Sequence, residues 1–245
     1  MITAVIDWLR LEIIVSKAYK FKRPTQPYND IKDFLKAEGI NENPYVKQTS
    51  SCTFEIDLHD VESGKEYAKA LNKLRHEYEP ISLKVTTLEV SIDFWNLSAG
   101  AFLLALQKSV KITQLFENTD LRIYNGDGAK VMPRIATNAM KHVHDGKTIG
   151  IGHKTQGNVY IRIYFKTKDK GFDLPKDQHR TRIEINVRDE MLASMGNDAD
   201  NLKHLANESF KLLKFTRLTD TATAKQTAEY RSNVELFGKE ISVIS

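Results

Sequence analysis

The chain has 245 residues, 41% of them hydrophobic with 11 Phe and 9 Tyr, which is enough apolar side chain for a buried core. Its 36 Lys and Arg against 32 Asp and Glu leave a formal charge of +4, which permits a polyanionic partner and falls short of a basic tail. A single cysteine, Cys52, excludes an intramolecular disulfide framework and a cysteine zinc ribbon, and fits a reducing compartment. The N-terminal MITAVIDWLRLEIIV is apolar but interrupted by Asp7, Arg10 and Glu12, with no cationic leader and no small-residue cleavage site. It reads as a strand, not a signal peptide. Nothing approaches the roughly 18 uninterrupted apolar residues of a membrane-spanning helix, so the expectation is a soluble, cytoplasmic protein.

The first strand is expected over residues 2–15. FKRPTQPYND, with its prolines, then breaks regular structure before a short helix over 30–36. CTFEIDL is a short strand. VESGKEYAKALNKLRHEYE carries Val61, Tyr67, Leu71, Leu74 and Tyr78 along one helical stripe. In ISLKVTTLEVSIDFW, Leu88, Val90, Ile92 and Phe94 share one strand face while Glu89, Ser91 and Asp93 share the other. SAGAFLLALQKSVKITQLFEN is a strong helix, capped by Ser98, whose Phe102, Leu103, Leu106, Val110 and Leu115 are expected to pack onto a sheet. LRIYNGDG reads as a strand ending in a turn, and residues 126–146 as a long polar loop. A helix over NDADNLKHLANESFKLLKFTRL takes Asn197 as its cap.

The chain is organised around residues 148–187, where TIGIGHK runs into NVYIRIYFKTKD and then HRTRIEINV. Val159, Ile161, Ile163 and Phe165 alternate with Tyr160, Arg162, Tyr164 and Lys166. Ile183, Ile185 and Val187 likewise alternate with Arg182, Glu184 and Asn186. This is the pattern of an antiparallel sheet with one apolar face and one wet face, and the wet face is where chemistry is expected. Strand–helix–strand occurs twice, which indicates an α+β fold, an antiparallel sheet with helices packed on one face. The whole of 1–245 is read as one domain, with a loosely packed C-terminal segment over 219–245.

The succession TTLEVSIDFW, TIGIGHKTQGNVYIRIYFKTKD and HRTRIEINV resembles the rolling-circle replication initiators of the Rep_trans, or replication initiation factor, family, which are similar to the replication proteins of filamentous phages. An acidic strand, a hairpin bearing R-hydrophobic-Y-x-K and a strand R-hydrophobic-E follow one another there as they do here. The resemblance covers about residues 86–191, with an echo at AVIDWL. It implies an HUH-like catalytic domain that nicks one DNA strand at an origin by tyrosine attack. The products would be a 5′-phosphotyrosine adduct and a 3′-OH for a polymerase. Tyr164 falls at the nucleophile's place, Lys166 at that of its same-face lysine, and Asp7 and Glu89 at the metal-binding places. Glu89 stands where many relatives carry Asp, and Asp169 where they often carry Glu. The partners implied are DNA, as an origin hairpin or a single strand, with a host helicase and polymerase, and a dimer is the expected assembly.

The residues support that chemistry in their own terms. A phenol is a poor nucleophile at neutral pH unless cations or a metal stabilise its anion, and Arg162 and Lys166 flank Tyr164 on one strand face. A hard divalent ion, Mg²⁺ or Mn²⁺, suits carboxylate oxygens on neighbouring strands. Asp93 is open to two readings, an additional acidic ligand or a cap. Arg182 and Glu184 either support the site or pair across the sheet. Asp7 has apolar neighbours Val5, Leu9 and Leu11 on its own face, which would bury it unless a bulge re-aims the strand. The competing readings are a histidine metal site at His142 and His144 and a rival nucleophile at Tyr124, which lacks the lysine two residues on. Trp8 and Trp95 are stacking or core residues. The alternative function is a non-catalytic DNA-binding replication-control protein using the same sheet face.

Overall fold

A computed structural model describes residues 2–40, 44–61, 64–95, 121–124, 129–132, 148–152, 157–169, 171–212 and 224. Its fold is α+β, with mostly antiparallel strands and a few helices. The helix expected around residues 98–118, the histidine pair and, Ala224 apart, the segment 219–245 lie outside the described residues. Two compact units divide the chain, one made of Val5–Val90 and Asn186–Glu208, the other of Met1–Ala4, Ser91–Ile185 and Ser209–Ser245.

In the first unit, β1 (Ile2–Ile14) pairs antiparallel with β3 (Thr53–Val61), and β2 (Tyr45–Gln48) pairs with the other edge of β3. Period two sends Leu9, Leu11 and Ile13 to one face, where all three are fully buried with Phe54 and Ile56. Two helices complete this core, α1 (Pro27–Ala37) through Ile31 and Leu35, and α2 (Gly64–Tyr78) through Tyr67, Leu71, Leu74 and Tyr78. The α2 stripe is the one its spacing predicts, except that Val61 ends β3 instead of opening the helix. α1 begins three residues before its expected start, because Pro27 occupies the first turn, where a missing N–H costs nothing. Tyr78 anchors the preceding loop: the rings of Tyr19 and Phe34 lie 5.4 Å from its own and that of Phe21 6.3 Å. At the far end, a 3₁₀ turn over Ala199–Asn201 leads into α4 (Leu202–Lys211), α3 being the short Asp189–Ser194. The cap expected at Asn197 is made one residue later, where the Asp198 carboxylate accepts the Asp200 N–H at 2.9 Å.

In the second unit, β5 (Leu121–Tyr124) lies between β6 (Ala129–Met132) and β7 (Thr148–Ile151), and β7 pairs with β8 (Val159–Lys166), all antiparallel. β6 falls in the stretch whose composition reads as loop, since a four-residue strand with two polar or small members carries little periodic signal. β7 turns toward β8 at Gly152, where φ is +87° and a Cβ would stand 2.8 Å from the Val159 carbonyl oxygen, so only glycine fits. β4 (Ser82–Trp95) and β11 (Arg180–Arg188) contribute their 91–95 and 180–185 halves here. A two-stranded hairpin, β9 (Lys168–Asp169) and β10 (Phe172–Asp173), follows β8.

One expectation fails in an informative way. The polar face of β11 is not wet: Arg182, Glu184 and Asn186 are buried alongside Ile183, Ile185 and Val187, and so are Glu89, Ser91 and Asp93 on β4. Charges survive there because they are matched to one another, as buried ions must be.

Candidate active site

Tyr164 stands on β8 and Glu184 on β11. The phenol donates a 2.5 Å hydrogen bond to Glu184 Oε1, and the Arg162 guanidinium pairs with Glu184 Oε2 from two residues along β8. Strand alternation puts Arg162 and Tyr164 on one face, and a single glutamate answers both. Arg182 stands 3.9 Å from the same carboxylate while forking both Asp93 oxygens, Nε to Oδ1 and Nη2 to Oδ2, each at 2.6 Å. Arg180 adds a second cation to Asp93 at 3.0 Å and lies 4.5 Å over the Trp95 ring, whose Nε1–H donates to Thr3 Oγ1 at 2.9 Å. The helix start at Asn96 and Ser98 that Asp93 is read as capping lies outside the described residues, and the contacts described for Asp93 are with guanidinium groups. Two arginines hold it, and it holds Arg182 in place.

Burial, the negative Glu184 and the hydrogen bond to it push the Tyr164 phenol well above its ordinary ionisation range, and Arg182 and Arg162 pull the other way. The phenol is therefore protonated at rest, with its proton aimed at a carboxylate. Lys166 is turned elsewhere, onto Asp169 at 2.8 Å. The same-face lysine that the sequence puts beside the phenol thus has a carboxylate of its own.

The acidic residues converge. Within the first unit, carboxylate oxygens of Asp7 and Glu89 lie within 4.8 Å of one another, and Asn186 donates to Glu89 Oε2 at 3.2 Å. Two carboxylates so placed could share a metal. Their donors are hard oxygens, and the separation is about what two ligands of one ion at ~2.0–2.6 Å span. Asp7 needs no bulge to reach this place. The β1–β3 register is continuous from Ile6 opposite Val61 to Ile14 opposite Thr53, but Val5 is 40% exposed and the sealed core begins at Leu9. Asp7 therefore sits half-buried, beyond the apolar run.

No protein-family model matches the chain, and no curated protein matches it. Among solved structures it is similar to a rolling circle replication initiator protein from Geobacillus stearothermophilus, with 13% identity, a TM-score of 0.48, and coverage of 96% of this chain and 97% of that one. A second likeness is to the aspartate kinase of Clostridium acetobutylicum, with 14% identity, a TM-score of 0.26, and coverage of 58% of this chain and 32% of that one. Neither score establishes a shared fold.

Chemically, one unit offers a phenol with a proton acceptor in contact and guanidinium groups beside that acceptor, and the other offers a pair of hard-oxygen donors. Of the residues singled out from sequence, Tyr164, Arg162, Glu184 and Arg182 are brought together in one unit, and Asp7 and Glu89 in the other. Trp8 lies 6.2 Å from His59 and 5.7 Å from the Arg10 guanidinium, a packing arrangement with no part in the acidic cluster. His142 and His144 lie outside the described residues, and of Tyr124 only the backbone is described. Sequence reasoning gave Glu184 a supporting place and passed over Arg180 and Asn186's partner. The alternation 180, 182, 184, 186 on β11 was the available signal, but which cross-strand partner each residue meets depends on register.

Proposed function

We propose that the chain is a rolling-circle replication initiator, a metal-dependent nickase that cuts one DNA strand by attack of Tyr164. The observation that carries this reading is the 2.5 Å hydrogen bond from the Tyr164 phenol to Glu184, a carboxylate that also pairs with Arg162. In the reaction, Tyr164 Oη forms a bond to phosphorus as the bond from phosphorus to the 3′ oxygen breaks. Glu184 takes the phenolic proton, a general-base role for which contact geometry is the first requirement. Arg162 offsets the charge developing on the phenolate and phosphate oxygens, and Arg182, held by Asp93, keeps Glu184 in place. The leaving oxygen takes a proton from solvent and ends as a free 3′-OH, while the phosphoryl group stays on Tyr164. A Mg²⁺ or Mn²⁺ ion held by Asp7 and Glu89 would supply Lewis-acid polarisation of the scissile phosphate.

The tripartite motif supports the same reading, with an HUH-like catalytic domain over 1–245 acting in the cytoplasm on an origin hairpin or single strand. Incubation with Mn²⁺ and a supercoiled plasmid carrying the cognate origin is expected to give nicked circles bearing protein at the 5′ end, and none with Tyr164→Phe. Adduct formation by Tyr164→Phe would sink the assignment. Salt-sensitive DNA binding with no cleavage in any divalent metal would instead make this a non-catalytic DNA-binding protein.

A further inference from the structure

The most exposed large apolar side chain among the described residues is Phe172, at 78%. It sits at the start of β10, opposite Asp169 in the hairpin that continues the strand of the proposed nucleophile. This hairpin is fastened at its base. The Leu174 N–H donates to the Thr167 carbonyl at 2.8 Å, Lys166 grips Asp169, His179 Nε2 is 2.9 Å from the Leu174 carbonyl oxygen, and the His179 ring meets Phe165 edge-on at 5.9 Å. A strand that holds a phenyl ring out in water forgoes the free energy of burying it. Single exposed aromatics are ordinary, but this one has a specific setting. Residues 166–176 hold four lysines against two aspartates, and Lys168 is 66% exposed with only a 3.4 Å pair to Asp173. A rigid ring among cations fits a single nucleic-acid strand, in which each base offers a face and each link a negative charge.

We infer that Phe172 stacks on a base of single-stranded DNA beside the nick site, with Lys168 meeting the adjoining phosphate. This deepens the nicking proposal and rests on it. Five residues separate Phe172's partner Asp169 from Tyr164, at most about 18 Å of extended chain, or roughly five stacked nucleotides. The stacked base therefore lies within a few nucleotides of the scissile phosphate. Because any base has a stackable face, the contact would hold the unpaired strand without reading its sequence.

The test measures binding of a labelled single-stranded oligonucleotide by fluorescence anisotropy for the wild-type chain, Phe172→Ala and Phe172→Trp, with adduct formation in Mn²⁺ run in parallel. Phe172→Ala is expected to weaken binding roughly ten- to a hundredfold, and Phe172→Trp to retain it. The salt dependence should be the same in all three, since the ring touches no phosphate, and the thermal midpoints should coincide because the position is exposed. Equal affinity of Phe172→Ala and wild type, with adduct still formed, overturns the stacking contact and leaves the nicking reading intact. Weakened binding by Phe172→Ala without adduct in any chain supports the contact and removes the nicking reading. A wild-type chain that neither binds the strand nor forms adduct overturns both.

Discussion

Arg10 on β1 and Arg182 on β11 make the same contact in different surroundings. Arg10 forks Asp57 at 2.6 and 2.9 Å with the two side chains 28% and 12% exposed, whereas Arg182 forks Asp93 at 2.6 Å twice with the side chains 6% and 3% exposed. Beyond that pair the regions diverge. Arg10 borders Glu55, Trp8 and Tyr45, an ordinary half-wet sheet face. Arg182 is one member of a largely buried series that runs from Arg180 through Asp93 and Arg182 to Glu184, which in turn meets the half-buried Tyr164 and Arg162. A guanidinium that can exchange its partner for water gains little from it, while one shut away from water is bound to its carboxylate. That obligation makes the β11 series able to fix a phenol in one place. Arg182 is a positioning residue there, and Glu184 the group in contact with the reacting oxygen.

The comparison can be broken at the acceptor first. Glu184→Gln keeps the shape but removes the base, so the nicking rate is expected to fall by about two to four orders of magnitude in a plasmid-relaxation time course. A rate within a fewfold of wild type would leave Glu184 no more than a packing partner. Next comes stability. Arg182→Met removes the two-toothed partner of the buried Asp93 and leaves it Arg180, so it should cost about 3 kcal/mol in urea unfolding, while Arg10→Met should cost about 1 kcal/mol or less. Equal losses at the two sites would erase the distinction between them.

Metal removal gives a test that needs no DNA. Mn²⁺ at about a hundredfold over its dissociation constant should stabilise the chain by ~2.7 kcal/mol, read as a rise in thermal midpoint, and Glu89→Gln should abolish most of that gain. The smallest effect is at high pH. Tyr67, Tyr78 and Tyr164 are all held above the ordinary tyrosine value of 10.0, chiefly by burial. In the unfolded chain they ionise near pH 10 and release protons that the native chain retains, so native stability is complete below pH 10 and falls above it. Each contributes a slope of about 1.4 kcal/mol per pH unit. Tyr164→Phe should make that slope shallower by one tyrosine's share.

Much of the strand pattern was legible because period two is local. Ile161, Ile163, Ile183 and Ile185 announce a core face, and each is at most 1% exposed. The α2 stripe was legible for the same reason at period 3.6. The fate of the opposite face was not. Whether Arg182 and Glu184 meet water or each other depends on what covers them and on cross-strand register, neither of which is written in the spacing of one strand. Asp7 shows the same limit from the other side: its apolar neighbours argued for burial, yet the strand's end, with Val5 40% exposed, leaves it half open. Lys166 was read as the phenol's companion from its two-residue offset, but Asp169, three residues further on, claims its ammonium.

The central claim is that Tyr164, through its contact with Glu184, is the group that takes the phosphate. Digesting the DNA adduct to short nucleotide-bearing peptides and sequencing them by mass spectrometry tests this directly. The nucleotide is expected on Tyr164, in the peptide spanning β8. A nucleotide on Tyr124 or Tyr160 instead, or nicked DNA with no nucleotide on any tyrosine, would contradict it.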